Sequence, residues 1–106
     1  GVVFAPPDQM FHQHFNTSPN PARYLAIAMG SLRYPMMAEK KRVWLGMDVS
    51  LNDGGNQIEY ENQHKDVHKV YLDSLLKTGA KSNMSKFVDE SAYLADPKYK
   101  DAINVS

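Results

Sequence analysis

The spacing of apolar and polar positions divides the chain into two parts with different periods. Up to residue 61 the apolar positions come in short, strand-like runs broken by Gly, Pro and Asn. VVFA at residues 2–5 is short and β-branched. MFHQHF at residues 10–15 alternates, with Phe11, Gln13 and Phe15 on one face and His12 and His14 on the other. NTSPNPA at residues 16–22 has turn chemistry, with two prolines and two asparagines. RYLAIAMG at residues 23–30 reads as a strand buried on nearly both faces, and KRVWLGMDVS at residues 41–50 contains another. LNDGGN is a strong turn, followed by the short alternating strand QIEYE at residues 57–61.

Beyond residue 61 the period changes. In KDVHKVYLDSLLKTG, Val67, Val70, Tyr71, Leu75 and Leu76 fall at the spacing of an amphipathic helix, and Gly79 is a natural C-terminal cap. SNMSKFVDESAYLAD carries a second, fainter helical pattern with Ser85 at its N-cap, and Pro97 ends it or starts a last turn. Strands followed by helices predict a mainly β fold with C-terminal α-helices, not an alternating βαβ arrangement. The division falls between residues 1–61 and a helical extension at 62–106.

Composition narrows the function classes. A chain of 106 residues is one domain or part of one. Lys plus Arg and Asp plus Glu both number 12, so the formal net charge is zero, which argues against nucleic acid or an anionic membrane as partner. There is no cysteine, which excludes disulfides and thiolate chemistry and fits a reducing, cytoplasmic setting. No apolar run approaches the ~18 residues of a membrane span. The first residue is Gly and nothing after it resembles a signal peptide, so the expectation is that the natural beginning lies upstream.

The candidate chemistry lies in the histidines. Residues two apart on a strand face the same side, so His12 and His14 can present imidazoles to one space, as metal ligands, as a general base, or as solvated surface residues. His64 and His68 lie four apart on the predicted helix, but the polar run YENQHKDVHK reads as a solvated face. Glu59 and Glu61 read as outward-facing strand carboxylates, Trp44 as core or an oligomer contact, and Met29, Met36 and Met37 as packing.

The first sixteen residues resemble the second sequence motif of the cupin superfamily. That motif runs Gly, five residues, Pro, one residue, Gly, two residues, His, three residues, Asn, and Gly1, Pro7, His12 and Asn16 stand at the matching positions. Gln9 departs from it where the family has glycine. The other cupin motif also contains His-x-His but requires glycine at position 6 and glutamate at 18 or 19, where this chain has Pro6, Ser18 and Pro19. The stretches HQHFNTSPNPARYLAIAMGS and GGNQIEYENQ are similar to single-domain bacterial cupins that continue into a C-terminal helix.

The resemblance implies that the chain is the C-terminal portion of a double-stranded β-helix barrel. It implies that His12 is the one metal ligand this motif contributes, the others coming from an N-terminal cupin half. That half is a separate chain, a cleaved segment or a stretch missing from this sequence. The implied metal is Fe(II) first, then Mn, Ni or Zn. The implied activity is that of a metal-dependent enzyme oxidising a small organic substrate, or else a non-catalytic small-molecule-binding or structural cupin. Asn16 would fix the turn after the ligand. His14 would be an extra ligand, a hydrogen-bond partner or a substrate contact. Arg23, Tyr24 and Arg33 flank the following strand, where an inward arginine can grip a carboxylate, although Arg23 also fits a surface ion pair. Cupins assemble as oligomers, and the helix around residues 67–76 would pack across such an interface or over its own barrel.

Overall fold

A computed structural model of the chain describes residues 1–7, 10–27 and 49–104. Its one α-helix among these residues, α1, spans Lys65–Thr78, where the sequence period predicts it. The N-cap is His64, whose imidazole accepts the Asp66 N–H at 3.2 Å in the manner of an Asn or Asp cap. Asp66 in the first turn and Lys77 in the last complement the helix dipole. Gly79 closes α1 at φ 74°, and its N–H donates to the Leu75 carbonyl. A residue with a Cβ is strained at that angle, so glycine sits where the chain must turn left-handed.

The buried face of α1 is His68, Tyr71, Leu72 and Leu75. This stripe is rotated from the predicted one: Val67 and Val70 point to solvent, Val70 with 65% of its surface accessible. The opposing layer comes from the end of the chain. Ala80, Tyr99, Ala102 and Ile103 complete the buried core, and Phe15, Leu76, Met84, Tyr93 and Leu94 pack on its edge. Ser82 N–H donates to the Ala102 carbonyl at 2.7 Å, so the segment leaving α1 lies beside the last residues of the core. Tyr99 reaches back to α1, its hydroxyl donating to Asp73 Oδ1 at 2.9 Å, with Lys98 Nζ 3.4 Å from the same oxygen.

The second predicted helix is broken into pieces. Residues 85–87 form a turn, and two short 3-10 helices follow, Glu90–Ala95 and Pro97–Asp101. The N-caps are Asp89 and Asp96, not Ser85. Each aspartate accepts the backbone N–H two residues on, which restarts the chain instead of propagating a helix. Pro97 adds a second break, because its ring disfavours helical geometry at Asp96.

The mainly β expectation, and with it the barrel portion, is overturned. Among the described residues there is no sheet, only an isolated parallel bridge between Ser50 and Gln57. Residues 2–5, 10–15 and 23–27, expected as strands, have no regular secondary structure. Tyr60–Asn62, inside and beyond the expected strand at 57–61, is a 3-10 helix. Alternation records which side chains would share a face, but a strand exists only when a neighbour takes up its N–H and C=O groups. Among the described residues none does, and Val2, Val3, Leu25 and Ile27 stay exposed. The LNDGGN turn does form, as the 3-10 helix Leu51–Asp53 closed by Gly54 at φ 84°. Gly55 is required there, since a Cβ would lie 2.1 Å from the Val49 carbonyl oxygen. The expected strands at 28–30 and 41–48 lie outside the described residues.

Candidate metal centre

His12 and His14 are exposed, and their rings are neighbours, with centroids 5.3 Å apart and planes at 75°. Phe4 and Tyr24 each approach His14 to 5.4 Å, so three separate stretches of chain meet at this imidazole. His12 Nδ1 lies 3.0 Å from the Met10 carbonyl oxygen. A carbonyl only accepts, so in this bond Nδ1 carries the hydrogen and the Nε2 lone pair of the neutral ring is available. Metal-bound histidines use the same device, donating one ring N–H to a carbonyl or carboxylate to fix the ring that binds through the other nitrogen.

The two rings meet edge to face at a separation ordinary for an aromatic pair. Two nitrogens do not complete a coordination sphere, and among the described residues no group of three or more His, Cys, Asp or Glu side chains is placed to hold a metal.

The segment that carries the pair is moored to α1 just downstream. Phe15 stacks on Tyr71 at 4.8 Å and 25°, and the Thr78 hydroxyl donates to the Thr17 carbonyl. Asn16 folds the following loop: its Oδ1 accepts the Ser18 N–H at 3.0 Å and its Nδ2 donates to the Asn20 carbonyl at 2.8 Å. Both ends of its amide are thus spent on the turn. Between this loop and α1 lies an open groove of about 490 Å³ whose polar lining includes Asn16, Asn20, Lys81 and Asn83. Tyr24 stands beside His14, whereas no contact among the described residues joins the exposed Arg23 to the imidazoles. Gln9, Met29, Arg33, Met36, Met37 and Trp44 lie outside the described residues.

A second polar cluster is built on His68, which the polar run around it places on a solvated face. His68 is fully buried, and its Nε2 donates to Glu90 Oε1 at 3.0 Å. The buried Ser82 hydroxyl donates to the same oxygen. The residue types are those of a nucleophilic triad, but the order is wrong. In such a triad the imidazole stands between hydroxyl and carboxylate so that it can take the hydroxyl proton. Here the carboxyl group stands between the other two, and all three are closed off from solvent, so the cluster locks α1 to the following segment. The Tyr71 and Tyr93 rings pack against His68 at 5.4 and 5.0 Å. The signal for it lay in helical spacing: His68 falls three, four and seven residues before Tyr71, Leu72 and Leu75. Glu59 and Glu61 lie at the 3-10 helix Tyr60–Asn62, with Glu61 exposed.

No helix among the described residues is long and apolar enough to cross a membrane. Comparison of the chain with protein-family models, with curated proteins and with solved structures gives no match.

Proposed function

We propose that this chain contributes His12 as a ligand to a divalent transition metal in a cupin-type, metal-dependent enzyme acting on a small organic substrate. Fe(II) is the first candidate, with Mn, Ni or Zn as the others, and the remaining ligands come from polypeptide outside this chain. The compartment proposed is the cytoplasm, with which a cysteine-free composition is compatible. The observation that carries the reading is the His12 ring itself, held through Nδ1 by the Met10 carbonyl with Nε2 available. The spacing of Gly1, Pro7, His12 and Asn16 supports it independently. No barrel is part of the proposal.

A bound divalent metal supplies Lewis acidity and, for iron, redox chemistry at open coordination positions, which favours oxygen-dependent oxidation as the reaction class. The chain's own residues then orient and bind. The Met10 carbonyl sets the His12 tautomer, and Tyr24 offers a ring and a hydroxyl to a substrate beside the imidazoles. Arg23 and Arg33 are the groups suited to a substrate carboxylate.

Metal analysis of the purified protein and of His12→Ala tests the reading. Wild type retains a transition metal after dialysis and the variant does not, with the far-UV spectrum unchanged because His12 is exposed and outside the core. Oxygen uptake by the iron-loaded protein with phenolic and carboxylate substrates then tests the reaction class. Equal metal content in the two proteins would remove His12 as a ligand.

A further inference from the structure

We propose that the groove between the loop at residues 16–21 and α1 binds a small organic carboxylate, at a site that uses neither a metal nor His12. Its volume of about 490 Å³ falls in the range of small-molecule sites. The floor is formed by the buried Tyr71, Leu75 and Ala80, and the rim carries the exposed Asn20, Lys81 and Asn83. The hydrogen bonding of that rim selects the ligand. Asn83 Oδ1 accepts the Tyr71 hydroxyl at 3.4 Å, which leaves its Nδ2 hydrogens as donors. Lys81 has no ion pair or hydrogen bond among the described residues, and no Asp or Glu among them lines the groove. Donors that include one cation, with no competing anion, match a group that only accepts, and an ionised carboxylate is such a group. The apolar floor suits a hydrocarbon body behind it.

Both walls are held in place by the chain's own contacts. In the loop, Asn16 spends both ends of its amide on Ser18 and Asn20, and the Ser18 hydroxyl oxygen accepts the Asn20 N–H at 3.1 Å. Pro19 and Pro21 fix two backbone angles, and the Phe15–Tyr71 stack and the Thr78 hydroxyl moor the loop to α1. On the other side, the Ser82 N–H donates to the Ala102 carbonyl and the Ser82 carbonyl accepts Asn104 Nδ2 at 3.1 Å, which fixes the segment carrying Lys81 and Asn83. Preformed walls reduce the ordering cost of binding. The C-terminal end of α1 borders the groove, and its partial negative charge opposes an anion. That end is capped, since the Leu75 carbonyl accepts both the Gly79 N–H and the Thr78 hydroxyl, and Lys77 lies in the last turn. The unit charge of Lys81 outweighs what remains of the roughly half charge of a helix end.

The test titrates benzoate, with benzamide as its neutral counterpart, into the full 106-residue chain and follows backbone amides by proton–nitrogen NMR. Benzoate shifts amides within residues 16–20 and 79–83 and binds about tenfold or more tightly than benzamide, because hydrogen bonds to a charged group are the stronger ones. Lys81→Gln lowers benzoate affinity about tenfold or more, and Lys81→Arg restores it. Asn83→Asp keeps an acceptor for the Tyr71 hydroxyl but replaces the Nδ2 donor by a negative oxygen, so it lowers benzoate affinity by a similar factor. Both side chains are exposed, so the far-UV spectrum of each variant stays that of the parent. Equal affinity for benzoate and benzamide would overturn the proposal, since the groove would then recognise the ring alone. Unchanged benzoate binding in Lys81→Gln or Asn83→Asp, or shifts confined to other segments, would overturn it as well. His12 takes no part in the site, so such a result leaves the metal-binding reading to its own test.

Discussion

Removing the carboxyl group of Glu90 exposes the energetics of the buried cluster. Its Oε1 accepts from the His68 ring and the Ser82 hydroxyl, and all three side chains are buried. Glu90→Ala leaves two buried donors with no acceptor. Each orphaned donor costs about 1–3 kcal/mol, so the pair costs about 2–6 kcal/mol before any cavity is counted. Domains hold about 5–15 kcal/mol in total, so this one change takes much or all of the stability. Glu90→Gln keeps an acceptor oxygen in place and loses about 1–2 kcal/mol, which leaves a measurable folded state if the alanine variant has none. Replacing the whole cluster by apolar groups, as His68→Leu with Ser82→Ala and Glu90→Leu, restores stability to near that of the parent, because no donor is then stranded. Urea unfolding followed by circular dichroism gives each value from the midpoint and slope. A loss under 1 kcal/mol in Glu90→Ala, or a triple variant as unstable as the single one, would refute the reasoning.

Other expectations follow from the packing and the termini of α1. Leu72→Ala, at a position with no accessible surface, costs about 2–5 kcal/mol, whereas Val70→Ala stays within about 0.5 kcal/mol; similar values in urea unfolding would contradict the buried face described. Gly79→Ala costs about 1–2 kcal/mol through the left-handed backbone alone, because its new Cβ meets no atom within 4 Å. The Tyr99 hydroxyl, followed by Lys98, holds the Asp73 carboxyl below its ordinary value of 3.8. A depressed carboxyl contributes stability above its unfolded value and loses it as pH falls through the folded one. Tyr99→Phe therefore moves the Asp73 midpoint upward in an NMR titration and shrinks its share of the acid-side loss, and an unmoved midpoint would show that the hydroxyl is not the cause.

The helix and its C-terminal cap were legible because their determinants are local. Lys65–Thr78 follows from the period of its apolar residues, and Gly79 from the turn that only glycine enters freely. The face that α1 buries was legible only in part: Tyr71 and Leu75 lie on it as their period predicts, whereas His68 and not Val67 or Val70 joins them. Val67 and Val70 outrank His68 in hydrophobicity, and only Glu90, 22 residues away, makes an imidazole the better core residue. The expected strands failed for the complementary reason. Alternation at 10–15 is a property of the segment, but a strand is a property of a pair, and no partner stands among the described residues. The alternation did carry one correct consequence, since His12 and His14 lie ring to ring although the segment is not a strand. Their surroundings came from further off: Phe4 and Tyr24 reach His14 from either side of its own segment, a convergence no local pattern encodes.

The metal-binding claim turns on which nitrogen of one imidazole is free, and long-range proton–nitrogen NMR correlation of the His12 ring during addition of Zn(II) reads this directly. The account predicts the Nδ1–H tautomer before zinc, matching the bond to the Met10 carbonyl, and a shift at Nε2 on binding with the Nδ1 hydrogen retained. An Nε2–H tautomer, or a ring whose nitrogens do not respond to zinc, would contradict it.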